Sequence, residues 1–198
     1  MFGDVEKNSK GYEMILLQEI GTCLSGGTPS TSFAKYYKGN IPWITTISLG
    51  KTYIDKDDAV ALITEEAVSH SATKIIEPNS ILFGTRVGVG KSSINKVPMC
   101  TNQDIAAITN ISKNYNSIFL KEVLEKYSNY FERQKRGTTI KGIKLDVLKN
   151  IKIPIVDITI QKKYEELVKL IDKQKFNYIE KIKLLNKLKN IQGAKKNE

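Results

Sequence analysis

The segment TIQKKYEELVKLIDKQKFNYIEKIKLLNKLKNI, residues 159–191, contains no glycine and no proline. Its apolar residues recur every three or four positions, and lysine and glutamate fill most of the remaining positions. This spacing predicts one amphipathic helix, roughly 45 Å long at about 1.5 Å per residue. The apolar stripe of the helix consists of Tyr164, Leu167, Ile171, Tyr178, Ile182, Leu185 and Leu188.

A helix of this length is longer than a small domain is wide, so the domain that it leaves cannot cover the whole stripe. The stripe therefore predicts pairing with a partner helix in a coiled coil. In the alternative arrangement, the helix folds back across its own domain.

Short periodic segments separated by glycine and proline precede the long helix. Strands are predicted within residues 41–49, 80–86, 104–111 and 151–156, and helices within residues 64–71, 117–134 and, as a helix or turn, 145–151. Residues 12–21 fit either a strand or a short helix. The sequence thus predicts an α+β fold, with a linker at 1–11, a mixed globular domain at 12–157, the long helix at 158–192 and a disordered tail at 193–198.

The stretch TRVGVGKSS, residues 85–93, ends like a nucleotide-binding P-loop. A P-loop needs a glycine five residues before the Gly90-Lys91 pair, but Thr85 occupies that position. A helix should also follow the lysine, whereas SSINKVPMC is typical of a strand. We therefore predict a glycine-rich hairpin with Arg86 and Lys91 near its tip, and we regard a nucleotide hydrolase as a minor alternative.

The positive charge is concentrated in the second part of the chain. The net charge is +10, yet residues 1–112 contain ten Lys or Arg against eleven Asp or Glu, and residues 113–198 contain twenty-one against ten. This asymmetry favours a polyanionic partner, most simply nucleic acid; the alternative is a lysine-rich solubilising surface. No run of about 20 apolar residues and no signal-peptide core is present, so we expect a cytoplasmic protein without membrane spans.

The sequence lacks the groupings of residues that most catalytic sites require. His70 is the only histidine, and Cys23 and Cys100, the only cysteines, read as reduced buried thiols. Neither a metal-binding cluster nor a Gly-x-Gly-x-x-Gly dinucleotide loop is present. We therefore predict a binding module without a metal, a cofactor or a reaction of its own.

Several polar segments are suited to nucleic acid. Residues 133–152 contain seven cations against Asp146 alone, and two glycines in this stretch allow close approach to a phosphate backbone. Asn102 and Gln103 carry amides suited to adenine, although such a pair also satisfies backbone groups. The predicted DNA contacts are Thr28, Ser30, Lys35, Lys38, Arg86, Lys91, Asn102, Gln103, Arg136, Thr138, Thr139, Lys141 and Lys144.

Five blocks follow one another in a recognisable order. They are SGGTPS at 25–30, IPWI at 41–44, SILFGTRVGVGK at 80–91, TNQDIAAI at 101–108 and RGTTIKGIKLDVLKNIKIPI at 136–155. From about Met14 to Leu188 the chain resembles the specificity subunit of type I restriction–modification enzymes. It departs from the family pattern at Thr46, Ser48 and Leu49, where a proline and an acidic residue are frequent.

The resemblance implies a subunit that recognises DNA and catalyses nothing. In this family a full subunit has two target recognition domains, each followed by a long helix. Each domain reads one half of a split DNA sequence, and the two helices pack antiparallel. Two other kinds of subunit assemble around the specificity subunit. Methyltransferase subunits bind S-adenosylmethionine, and restriction subunits use ATP and Mg²⁺. This chain resembles one such half. The alternative is a self-sufficient dimeric DNA- or RNA-binding regulator.

Overall fold

A computed structural model describes residues 3–138 and 141–194, with the side chains of the last helix described as far as Lys187. The side chain of Leu188 and the predicted tail beyond residue 194 therefore lie outside the described residues. The chain separates into two units, Met1–Ile158 and Thr159–Glu198. The first unit mixes short strands with short helices and the second is helical, so the predicted α+β class is confirmed.

Most elements of the first unit are short. The strands are β1 (Met14–Leu16), β2 (Thr22–Ser25), β3 (Ile41–Ile44), β4 (Tyr53–Ile54), β5 (Ala61–Ile63), β6 (Ile81–Gly84), β7 (Ser92–Asn95), β8 (Cys100–Thr101), β9 (Ile105–Thr109) and β10 (Lys152–Pro154). The α-helices are α1 (Leu17–Ile20), α2 (Glu65–Ser69), α3 (Ser117–Lys126), α4 (Ser128–Gln134), α5 (Leu145–Lys149) and α6 (Ile158–Ala194). Three 3-10 helices lie at Ala34–Tyr37, Thr46–Ser48 and Lys56–Asp58.

The largest sheet has five strands in the order β2-β9-β6-β7-β4. Its neighbouring strands are antiparallel except β4 and β7, which run parallel. A three-stranded sheet has the order β5-β3-β8, and β1 pairs with β10 in a separate ribbon. Pro154 lies opposite Met14 in this two-stranded ribbon, an edge position that a strand proline requires.

The core lies on both faces of the five-stranded sheet. Alternation along β6 directs Leu82 to one face and Phe83 to the other, where the Phe83 and Phe131 rings have centroids 5.0 Å apart. The cluster that contains Leu82 comprises Ile44, Leu49, Ile54, Ile76, Leu82, Met99, Ile105 and Ala107. A second cluster comprises Tyr36, Trp43, Ile63, Ala67 and Cys100.

Two predicted elements are shorter or more divided than the sequence pattern indicates. The predicted strand at 41–49 ends at Ile44, because residues 46–48 form a 3-10 helix that returns Leu49 to the core. The predicted helix at 117–134 is interrupted at Tyr127, whose hydroxyl donates to the carbonyl oxygen of Lys152 at 2.7 Å. Residues 12–21 contain both β1 and α1.

The predicted hairpin is confirmed. Strands β6 and β7 are antiparallel, and Phe83 lies opposite Ser92. The Gly90-Lys91-Ser92 sequence therefore leads into a strand, whereas a P-loop lysine is followed by a helix whose N-terminus faces the phosphates. In the described parts of the chain, no helix combines the length and the hydrophobicity needed to cross a membrane.

Candidate nucleic-acid interface

Four loops meet at one end of the five-stranded sheet. The register places Ser25, the last residue of β2, opposite Ala106, and Gly84, the last residue of β6, opposite Ile105, the first residue of β9. The loop after β2, the β6–β7 hairpin tip and the turn that precedes β9 therefore share this end. The fourth loop is the basic loop, residues 135–144, which is attached to the hairpin tip by the contacts described below.

The turn at residues 102–104 places two adjacent amide side chains in different environments. Asn102 is buried, its Nδ2 donates to Asp104 Oδ2 at 3.2 Å, and its Oδ1 accepts from the Asp104 backbone N–H at 3.2 Å. Gln103 is exposed, and its Oε1 accepts a hydrogen bond from the Thr28 hydroxyl. Asn102 thus shapes the turn, and Gln103 is the amide that the turn presents to solvent.

The loop at residues 25–30 packs tightly against this turn. A Cβ atom on Gly26 would lie 2.2 Å from the carbonyl oxygen of Asn102, so only glycine fits there. The Gly27 N–H donates to the Thr101 carbonyl at 2.9 Å, and the Trp43 indole Nε1 donates to the Gly27 carbonyl at 3.1 Å. The glycines therefore let the loop approach the turn closely enough for Thr28 to reach Gln103.

Asp104 joins the turn to the hairpin. Arg86 Nη1 lies 3.3 Å from Asp104 Oδ1. The backbone N–H and the hydroxyl of Thr85 both donate to the Asp104 carbonyl, at 2.8 and 3.0 Å. This carboxylate was not among the predicted site residues; its position directly after Asn102 and Gln103 was the available signal.

The basic loop is closed at its base and attached to the hairpin. Arg136 and Gly142 exchange two backbone hydrogen bonds of 2.8 and 2.9 Å. The Ile143 N–H donates to the Thr85 carbonyl at 2.8 Å. A Cβ atom on Gly142 would lie 2.7 Å from that carbonyl oxygen and 2.8 Å from Arg86 Cγ, so this glycine permits the contact.

The cations in and around the basic loop fall into two groups. Arg133 is paired with Glu6, Lys135 with Glu132, and Lys149 with Asp146. By contrast, four exposed cations near the hairpin and the basic loop have no carboxylate partner within residues 3–138 and 141–194: Lys91, Arg136, Lys141 and Lys144. The Arg136 guanidinium donates to the Arg133 and Lys135 carbonyls instead, which are neutral acceptors.

Lys35 lies in the 3-10 helix Ala34–Tyr37. Lys35 Nζ lies 2.6 Å from Glu66 Oε1, and the hydrogen bond and charge of Glu66 raise the pKa of Lys35. Lys38 follows the same 3-10 helix, and this helix is tied to the loop at 25–30 by the Tyr37 hydroxyl, which donates to the Pro29 carbonyl at 2.7 Å.

Two of the other predicted hydroxyl contacts, Ser30 and Thr138, lie in the loops at this end of the sheet. Ser30 and Thr138 are exposed, and Thr139 lies outside the described residues.

His70 is exposed at the C-terminal end of α2, where its Nδ1 lies 2.9 Å from the Glu66 carbonyl oxygen. Within residues 3–138 and 141–194, no cluster of three or more His, Cys, Asp or Glu side chains is suited to a metal ion.

An α+β domain that presents polar loops and unpaired cations at one end of a sheet has the general form of a polyanion-binding module. The chain belongs to the type I restriction modification DNA specificity domain family, whose model matches residues 9–190. This assignment agrees with the resemblance carried by the five sequence blocks.

Two curated relatives are specificity subunits. The chain is 33% identical to the EcoR124I/EcoR124II type I restriction enzyme specificity subunit of Escherichia coli over 167 residues, which are 79% of this chain and 39% of the relative. It is 31% identical to the MjaIX type I restriction enzyme specificity subunit of Methanocaldococcus jannaschii over 156 residues, which are 76% of this chain and 35% of that relative. The chain thus spans well under half the length of these relatives.

Solved structures share the fold. The HsdS subunit from Thermoanaerobacter tengcongensis aligns with a TM-score of 0.61 at 16% identity, over 83% of this chain and 38% of that one. A chain from a study of complex assembly and conformational transition of the type I R-M system aligns with a TM-score of 0.63 at 17% identity, over 83% and 39%. At these identities the likeness establishes the fold alone.

Proposed function

We propose that this chain is a DNA-sequence recognition subunit of a type I restriction–modification system and reads one half of a bipartite target. The observation that carries the proposal is the set of four unpaired cations beside the exposed Gln103 amide, on loops that share one end of the sheet. The partner is double-stranded DNA in the cytoplasm.

Different residues of these loops contact the phosphates and the bases. Arg136, Lys141, Lys144 and Lys91 contact the phosphate backbone, which supplies affinity without sequence information. Gln103 contacts a base edge in the major groove. Its Oε1 keeps a second lone pair beyond the bond from Thr28, and its NH₂ group keeps its donors. The amide therefore retains the donor and the acceptor that a bidentate contact with adenine requires.

The chain itself performs no chemistry in this proposal. Methyltransferase subunits that carry S-adenosylmethionine dock on it, and restriction subunits that use ATP and Mg²⁺ join the assembly. A metal or cofactor in the chain itself is not required, because target recognition needs only hydrogen bonds, apolar contacts and charge.

The helix α6 supplies the pairing surface. Its predicted apolar stripe is about half exposed from Leu167 to Leu185, with exposed fractions from 48% at Leu167 to 64% at Tyr178. This exposure supports pairing with a partner helix. A second copy related by a two-fold axis buries the stripe with the same face of each helix. A pair of identical domains then recognises a palindromic target split by a spacer, whereas pairing with a different half gives an asymmetric target.

The test is co-expression of the tagged full chain with a type I methyltransferase subunit from the same host, followed by affinity purification and mapping of methylated adenines in the host DNA. We expect the methyltransferase to be retained and one split sequence to be modified. The Gln103→Ala variant should retain the methyltransferase and lose or broaden the modified sequence. A chain that binds DNA without retaining the methyltransferase would instead support the self-sufficient regulator.

A further inference from the structure

Ile47 is the most exposed large apolar side chain in the described residues, at 82%. It lies in the 3-10 helix Thr46–Ser48, directly after β3. Burial of an isoleucine side chain is favourable by about 1.5–3 kcal/mol, so one left in water adds nothing to the stability of the fold.

The segment that carries Ile47 is held on both sides. Ile44 and Leu49 are buried in the same core cluster as Ile105. The Gly50 N–H donates to Ser93 Oγ at 3.0 Å, and Ser48 Oγ donates to the Asp58 carbonyl at 2.7 Å. These anchors limit the conformations open to the short turn and keep Ile47 out of the core.

The turn also belongs to the end of the domain that carries the four loops. The Ile44 carbonyl accepts a hydrogen bond of 3.0 Å from the Asn102 N–H, and β3 runs parallel to β8, the strand that leads to Asn102 and Gln103. Ile47 therefore follows β3 at the same end at which Gln103 follows β8. An exposed apolar side chain thus lies at the end of the domain that carries the four loops.

We infer that Ile47 is a specificity-determining residue that contacts the C5-methyl group of a thymine in the target half-site. The inference rests on the proposed function, because DNA is the occupant that both the unpaired cations and the Gln103 amide suit. In the major groove the thymine methyl group is the apolar feature that distinguishes this base, and aliphatic side chains read it by contact. Binding would then cover Ile47, which folding leaves exposed.

The test uses the full chain together with its methyltransferase subunit and a library of random duplex DNA. Sequences selected by the wild type define the half-site, and deoxyuridine then replaces each thymine in turn, which removes only the methyl group. At one position we expect the affinity of the wild type to fall roughly fourfold, the effect of one buried methyl-sized group. Ile47→Ala should bind the thymine and deoxyuridine duplexes equally at that position and keep its sensitivity elsewhere.

The matched control is Ile155→Ala, which removes the same atoms from an isoleucine that is 43% exposed and lines a cleft with Tyr115, away from the four loops. This variant should keep the wild-type response to every deoxyuridine. Thermal melting checks that both variants fold. The inference is overturned if Ile47→Ala responds to each deoxyuridine as the wild type does, or if the half-site contains no thymine. A wild type that selects no sequence overturns the proposed function, and the inference with it.

Discussion

Arg86 Nη1 lies 3.3 Å from Asp104 Oδ1, and this ion pair joins the hairpin tip to the turn that presents Gln103. The Asp104 carboxylate is largely buried, whereas the Arg86 side chain is half exposed. Such a pair contributes little to overall stability, in the range of about 0–1 kcal/mol. Its consequence is geometric, because Asp104 also accepts from Asn102 and so fixes the turn between two loops.

This arrangement predicts that replacing Asp104 has opposite effects on binding to the target sequence and on binding to unrelated DNA. In Asp104→Ala, the turn that carries Gln103 loses its ion pair with Arg86 and its hydrogen bond from the Asn102 amide, and the interface loses a negative charge that repels phosphate. We expect weaker binding to the target and stronger binding to unrelated duplexes, so that their affinity ratio falls roughly tenfold, the scale of a single base contact. Fluorescence anisotropy at a fixed salt concentration measures the affinity for the target duplex and for the unrelated duplexes. A ratio that stays at the wild-type value would contradict the assigned role of the turn.

The unpaired cations predict a change in salt dependence. Replacing Arg136 and Lys141 by Ala should weaken binding to all sequences alike, because interactions with phosphate carry no sequence information. The slope of log K against log salt should become shallower by about 0.9 for each phosphate that the variant no longer neutralises. The measurement is a titration of duplex DNA at several salt concentrations.

Lys113→Ala provides a control for that titration, compared per charge removed. Lys113 follows β9 at the end of the sheet opposite the four loops, so its removal changes the net charge without changing the proposed interface. We expect its slope to equal that of the wild type. If the control flattens the slope as much for its one charge as the Arg136/Lys141 double variant does for each of its two, charge acts only through the net charge of the protein.

The exposed stripe of α6 predicts self-association. The wild-type chain should be a dimer at micromolar concentration, and Ile171→Glu with Leu185→Glu should be a monomer, because a charge within an apolar seam is strongly disfavoured. Multi-angle light scattering gives the mass of each. As a control, Lys173→Glu with Lys187→Glu introduces the same residue at exposed polar positions and should leave the dimer intact. A monomeric wild type would refute the pairing, and a dimeric Ile171/Leu185 variant would place the interface elsewhere.

The buried thiols predict a loss of stability in alkali. Burial raises the pKa of both Cys23 and Cys100 from 9.0 to about 11. Below pH 9 the thiols are protonated in the folded and unfolded states alike. Between pH 9 and 11 they ionise mainly in the unfolded state, so the free energy of unfolding falls as the pH rises.

Urea denaturation across this pH range measures the effect. The Cys23→Ala, Cys100→Ala double variant should lose less stability between pH 9 and 11 than the wild type. It should still weaken above pH 10, because burial raises the pKa of Tyr127 from 10.0 to about 12. Both native thiols should also resist alkylation at pH 8. Rapid alkylation of either thiol in the folded protein would show that it is not held in the buried, protonated form.

Much of the local structure is predictable from the sequence, because it depends on residues only a few positions apart. The three- to four-residue spacing predicts α6, and the hydroxyl of Thr64 accepts from the Ala67 N–H as a helix N-cap should. The failed P-loop spacing and strand-like flanks predict the β6–β7 hairpin. Where local pattern misled, as at Tyr127 and after Ile44, an interaction with a distant segment or with the core ended the element.

The sequence by itself determined the α+β class, the long amphipathic helix and the basic loop, because each depends on composition and short-range periodicity. Only the tertiary structure decided how the polar residues are used. It buried Asn102 and exposed its neighbour Gln103, and it brought Thr28 to Gln103 across 75 residues of chain. It also separated paired cations from unpaired ones. These outcomes depend on packing between distant loops, where a hydrogen bond or ion pair forms only if the fold brings the two partners together.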